Sequence, residues 1–194
     1  MQNQYLPEGL LFSTAQNREA IATQAGLERA MAQGKILEAP AALCDSDMNL
    51  YIDLGGVRGY MPREEVACCR AGEEVKQIAV ITRVGKPVCF KVIGMREERG
   101  MTTAVLSRRL AQEECRAAFL ADLIPGDIIK AKVTHLEPFG AFVDIGCGIA
   151  SLLTVDCISV SRISHPADRF TVGEYIPVVI RSIDRENDRI FVTH

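Results

Sequence analysis

The chain repeats itself, and this repeat limits what it can fold into more than any other feature. NLYIDLGGVRG at 49–59 lies over GAFVDIGCGIAS at 140–151, so Asp53-Leu54-Gly55 matches Asp144-Ile145-Gly146. RVGKPVCFKVIG at 83–94 likewise lies over TVGEYIPVVIRS at 171–182. Two units of roughly 70 residues with the same order of short extended runs are an internal duplication. Of the 194 residues 48% are apolar and 24% charged, an ordinary globular balance that supplies a real core and excludes a disordered tail or a fibrous repeat.

The segment before the repeats reads as helix. Ser13 or Thr14 can cap its start, and Ile21, Leu27, Ala30 and Met31 recur at helical spacing up to Gly34. A break near Gly26 divides it into two short helices. From Gly34 the pattern turns to β runs: KILEAPAAL, NLYIDLG, VRGYM, QIAVITRV, PVCFKVIG and TTAVLS. SRRLAQEECRAAFLADL, free of Gly and Pro and stopped by Ile124-Pro125-Gly126, is a linking helix. The β runs then resume as GDIIKAKVTHL, FGAFVDIG, GIASLL, EYIPVVIRSID and RIFVT. The expected architecture is all-β with accessory helices: a helical segment over 1–33, a barrel over 34–108, a linking helix over 109–123 and a second barrel over 124–194. Five strands per unit around a turn-rich middle point to a small Greek-key barrel of the OB type, with a sandwich as the alternative.

With 22 basic and 25 acidic side chains the net charge is −3, so no global field draws the chain onto a polyanion, which argues against charge-driven duplex DNA binding. Seven cysteines without a CxxC pair read as reduced thiols of a cytosolic protein, the adjacent Cys68 and Cys69 included. No apolar run approaches the ~20 residues of a membrane-spanning helix, and the N-terminus has no basic start followed by a greasy stretch. A cytoplasmic location without membrane contact is therefore expected.

The chemistry concentrates in the second unit. Ile129, Ala131 and Val133 alternate with Lys130, Lys132 and Thr134, which leaves two ammonium groups on an outer face. Ala141, Val143 and Ile145 form the next core set, placing Phe142 with Gly140 and Asp144 on the wetter side. Phe139 and Phe142 around Gly140 make a platform on which unpaired bases can stack without a strongly basic protein. Each residue also has a plainer role: Phe139 as a plug closing the barrel, Phe142 covered by the helix or the irregular segment, the lysines as a solvated strand face.

PGDIIKAKVTHLEPFGAFVDIG, GIASLL and HPADRFTVGEYIPVVIRSIDRENDRIFVTH together closely resemble the S1 RNA-binding domain, an OB-fold module of the small-subunit ribosomal protein that holds messenger RNA. Residues 34–108 look like a degenerate second copy, and the arrangement is similar to small two-repeat homologues in Gram-positive bacteria. The resemblance implies an RNA face built from Phe139, Phe142, Asp184 and Arg189. Thr154 stands where the family has a histidine, and the Asp-to-Arg spacing in DRENDR is one residue longer than usual. In the first copy Met48 and Tyr51 take the two ring positions, and Arg96 replaces the carboxylate. That copy is expected to have lost most base contacts and to pack against the second copy or a partner. Lys132, together with Arg162 and His165 of SVSRISHPADRF, complete the candidate set as phosphate or base contacts.

No enzyme constellation is present: there is no GxxxxGK[ST], GxSxG or HExxH, and the aspartates of DIG and IDR sit where turns explain them. The expectation is a non-catalytic binder of single-stranded RNA, messenger RNA in particular, that needs no metal or cofactor and works with ribosomes or RNA-processing proteins. The alternative is a protein-interaction module that docks on such a partner.

Overall fold

The computed structural model describes residues 4–69, 72–98, 100–161, 163–187 and 189–194. A strap (residues 4–12), turning from Glu8 onward, leads into α1 (Ala15–Ile21) and α2 (Gln24–Ala32). The first barrel follows: β1 (Leu37–Cys44), β2 (Leu50–Leu54), β3 (Val57–Met61), α3 (Gln77–Ile81), β4 (Pro87–Glu98) and β5 (Met101–Ser107). After α4 (Arg108–Ala118) comes the second: β6 (Ile128–Glu137), β7 (Gly140–Asp144), β8 (Ala150–Thr154), β9 (Tyr175–Asp184) and β10 (Arg189–Thr193). Both sheets close with the same connectivity, β1-β2-β3-β5-β4 and β6-β7-β8-β10-β9 in corresponding order, the two-barrel OB-like fold that the repeat implies. Among the described residues no helix is long and apolar enough to cross a membrane.

The repeated motifs do repeated work. Gly55 and Gly146 both turn the chain after DLG or DIG with positive φ, and Gly85 and Gly173 do so ahead of β4 and β9. Each barrel fills its interior with the alternating set of its strands, Leu50, Ile52 and Leu54 in the first and Ala141, Val143 and Ile145 in the second. All seven cysteines are free.

Three expectations change. QIAVITRV forms α3 over Gln77–Ile81 instead of a strand, because the five strands of the closed barrel already pair with one another and leave this run a single parallel bridge, Val84 to Ala41; only Val80 of this helix is buried. The break between the first two helices falls at Ala22-Thr23, where Thr23 caps α2 by accepting from the Gly26 amide. Gly26 instead lets the helices approach, since a Cβ there would lie 2.4 Å from the Ala20 carbonyl oxygen. Asp144, expected on the wetter face with Gly140, is 2% exposed.

The strap buries Asp144. Residues 5–12 run through the junction between the barrels, and Glu8 is its centre. Its Oε1 accepts from Arg108 Nε at 2.6 Å and the Cys89 amide at 3.0 Å, and its Oε2 from Arg108 Nη2 at 3.1 Å. Arg83 adds a second guanidinium at 3.4 Å. The Glu8 amide donates to Asp144 Oδ2 at 2.7 Å, while Glu8 O accepts from Lys132 Nζ and the Tyr175 hydroxyl. Gly9 and Phe12 amides both donate to Glu38, whose own backbone pairs with the Asn17 side chain. Gln112 Nε2 closes the junction on the Cys147 carbonyl.

Burial pushes the Glu8 carboxyl up, but the charge and hydrogen bonds of Arg108 outweigh it and hold the group below its ordinary range. Truncating Glu8 leaves Arg108 buried without its carboxylate, a situation that costs ~3–5 kcal/mol. Urea denaturation of Glu8→Ala should show a loss of that size, and adding Arg108→Met should recover a large part of it, because the uncompensated charge is the main cost.

Glu38 titrates in the opposite sense. Burial first, then the charges of Glu8 and Asp144, raise its carboxyl from 4.5 to about 7 against the opposing Phe12 and Gly9 amides. A group raised on folding contributes stability that is complete below its unfolded value and lost as pH climbs through its folded value. Stability should therefore fall between pH 4.5 and 7, the window set by the two values. In Glu38→Gln this component of the decline should vanish, as measured by urea midpoints across that range.

Candidate nucleic-acid interface

Strand register builds the outer face of the second barrel. His135 on β6 pairs with Phe142 on β7, Phe142 with Leu152 on β8, and Leu152 with Phe191 on β10. Paired residues on neighbouring strands share a face, so these four form one row across the sheet. All four are half-buried or exposed, whereas their strand neighbours Ala141, Val143, Ser151, Leu153 and Val192 point inward. Phe139 stands at the head of the row in the β6–β7 turn with 54% of its surface exposed.

The rings contact one another. Phe139 meets Phe142 edge to face with centroids 6.1 Å apart, and the His135 ring lies 6.3 Å from that of Phe142. The platform is thus wider than two phenylalanines. His135 also bonds Glu137 Oε1 at 2.7 Å, which fixes the imidazole at the edge of the row. Gly140 is needed for this geometry: a Cβ would lie 2.5 Å from the Leu153 carbonyl oxygen, so β7 could not approach β8 as it does.

Polar residues flank the rings. Asp184 and Arg189 face each other across the β9–β10 hairpin, and Arg189 is two residues from Phe191, hence on the same face. Asp184 accepts from the amide and side chain of Asn187, which hold its carboxyl below the ordinary range. It is ionised at neutral pH and oriented by the turn. Thr154 pairs with Gly140 at the Phe139 end and bonds Asp156, lowering that carboxyl in turn.

Five of the eight sequence-derived residues therefore gather on one surface: Phe139, Phe142, Thr154, Asp184 and Arg189. Lys132 does not join them. It is half-buried at the barrel junction, with Nζ donating to Glu8 O at 2.8 Å and lying 5.4 Å from the Tyr175 ring centroid. His165 serves as a cap, its Nδ1 accepting from the Ala167 amide at the start of the short helix Pro166–Asp168. Arg162 lies outside the described residues.

His135 and Phe191 were absent from the sequence-derived set. The simple alternation of β6 breaks after Val133, where an irregularity before His135 turns the histidine toward Phe142. Phe191 joins the row only through the parallel contact of β10 with β8, which links residues 39 positions apart in the chain and leaves no local pattern.

One comparison with known families falls on this barrel. Residues 122–194 match the family model described as S1 RNA binding domain. Small ribosomal subunit protein bS1 of Rhodopseudomonas palustris is 33% identical over 143 residues, 72% of this chain and 24% of that protein. The bS1 protein of Leuconostoc lactis is 33% identical over 145 residues, 73% of this chain and 32% of that protein. The chain thus spans 24% to 32% of the length of these relatives. The solution structure of GSP13 from Bacillus subtilis, 22% identical, covers 37% of this chain and 55% of that one with a TM-score of 0.35. The second barrel belongs to the S1 RNA binding domain family, and the chain around it is similar to part of ribosomal protein bS1.

Proposed function

We propose that the chain is a non-catalytic binder of single-stranded RNA that acts in the cytoplasm in association with messenger RNA or the ribosome. The observation that carries this reading is the ring row His135, Phe142 and Phe191, with Phe139 at its head, on an outward face beside Arg189 and Asp184. Aromatic side chains left on the surface of a small barrel offer their π faces to bases, and only unpaired bases can be splayed out to reach them. Phe139 and Phe142 stack, Arg189 meets phosphate or a base edge, and Asp184 accepts from base amino groups. The S1 family match and the bS1 relatives support the RNA class and the link to translation.

A charge of −3 fits this mode, because stacking supplies affinity that a basic surface would otherwise provide. It also predicts a weak dependence on salt, since few phosphates are neutralised. Each stacked base is worth ~1–3 kcal/mol. Fluorescence anisotropy of a labelled single-stranded RNA of about a dozen nucleotides should therefore show Phe139→Ala/Phe142→Ala binding at least tenfold more weakly, with a shallow salt slope for both proteins. Absence of binding at low salt by the folded wild type would overturn the RNA reading. The docking alternative would then rest on the exposed Ile78 and Ile81 of α3.

A further inference from the structure

The first barrel carries an outer row built to the same plan. Leu43 on β1 pairs with Tyr51 on β2, Tyr51 with Tyr60 on β3, and Tyr60 with Val105 on β5. Strand for strand this matches His135, Phe142, Leu152 and Phe191. The rings have been redistributed: where the second barrel has an aliphatic residue on its third strand and a phenylalanine on its fifth, the first has Tyr60 on its third and Val105 on its fifth. Reading one ring position at a time therefore finds only Tyr51 and concludes that the face is lost.

The two phenol rings lie 5.5 Å apart at a 55° tilt, and both are partly exposed. Tyr51 is held in place, its hydroxyl donating to Asp45 Oδ2 at 3.3 Å. The adjoining row on the same face runs Asp53, Arg58, Thr103 and Arg96. Arg58 and Arg96 are exposed, and among the described residues neither guanidinium is ion-paired with a carboxylate. Asp45, which holds the Tyr51 hydroxyl, is engaged by the Asn49 side chain and by the amides of Asp47 and Asn49. A groove of about 380 Å³ runs beside Tyr51, lined by Leu43, Asp53, Arg58, Met101 and the glycines Gly55 and Gly56.

Two half-buried rings, two exposed guanidiniums outside any ion pair among the described residues, and an adjoining groove on one face are the parts of a single-strand site. We infer that the first barrel holds its own platform for unpaired RNA bases, with Tyr51 and Tyr60 stacking on them and Arg58 and Arg96 meeting the phosphates. This rests on the reading of the chain as an RNA binder, but it uses residues of the other barrel. The second barrel's rings are not needed for it.

The chain has four tyrosines and no tryptophan, so ring-labelled tyrosine gives a spectrum of four side chains: Tyr5, Tyr51, Tyr60 and Tyr175. The full-length protein, labelled in this way and assigned with single Tyr→Phe variants, is titrated with a short single-stranded oligouridylate. The Tyr51 and Tyr60 signals should shift saturably while those of Tyr5 and Tyr175 stay in place. The same shifts should persist in Phe139→Ala/Phe142→Ala. Tyr51→Ala/Tyr60→Ala should weaken the oligonucleotide's affinity for this site about tenfold or more, and Tyr51→Phe/Tyr60→Phe should leave it near wild type. Unmoved Tyr51 and Tyr60 signals in a protein that still binds through Phe139 and Phe142 would overturn the inference and leave the function reading intact. No binding by either barrel would overturn both. Binding weakened by Arg58→Ser/Arg96→Ser but not by removing the rings would also overturn it, as a site of charge alone.

Discussion

A buried carboxylate at the junction of the two barrels organises the molecule. Glu8 is almost fully enclosed, and the strap that carries it would have no reason to enter the junction without Arg108 and Arg83 waiting there. Once seated, the strap decides the state of much else. Its amide takes up Asp144, its carbonyl takes up Lys132 and Tyr175, and its next turn takes up Glu38. Three carboxylates, Glu8, Glu38 and Asp144, share one enclosed region, and among the described residues only Glu8 is ion-paired with a guanidinium. Burial and the charge of Glu8 accordingly push Asp144 up while Arg108 keeps Glu8 ionised.

This arrangement also trims the outer face of the second barrel. Lys132 and Asp144 lie at the end nearest the junction and are consumed by the strap, so the open surface is the end that holds His135, Phe139, Phe142 and Phe191. In the first barrel the residue matching Asp144 is Asp53, which is exposed and beside Arg58. The duplicated barrels thus differ less in their strands than in what covers them. One face ends in a buried polar junction, and its counterpart continues into two guanidiniums and an open groove.

The parts legible in the sequence were those set by local alternation. The repeat, the ten strands and the outward Phe142 follow from period-two patterning and from glycine at the turns, which neighbouring residues determine. Residues whose roles depend on distant partners were not legible. Lys132 reads as a phosphate contact until Glu8, 124 positions away, is seen to occupy it. Asp144 reads as a turn residue, which it is, since it accepts from the Gly146 and Gly148 amides, yet its burial comes from the strap. α3 misled because Ile and Val favour strands, while the closed five-stranded pairing left that run a single bridge, Val84 to Ala41. Tyr60 was overlooked because a ring had moved by one strand, which keeps the face but breaks a position-by-position match.

The claim on which the account stands is that unpaired bases lie directly on these rings. Ultraviolet crosslinking of a single-stranded RNA to the intact protein, with the modified residues located by mass spectrometry, tests it at residue level. The account predicts nucleotide adducts within 135–142 and 189–191 of the second barrel, where the ring row lies. A saturated complex whose adducts fall only on α3, on α4 or on the strap, with none on the ring-bearing strands, would contradict it.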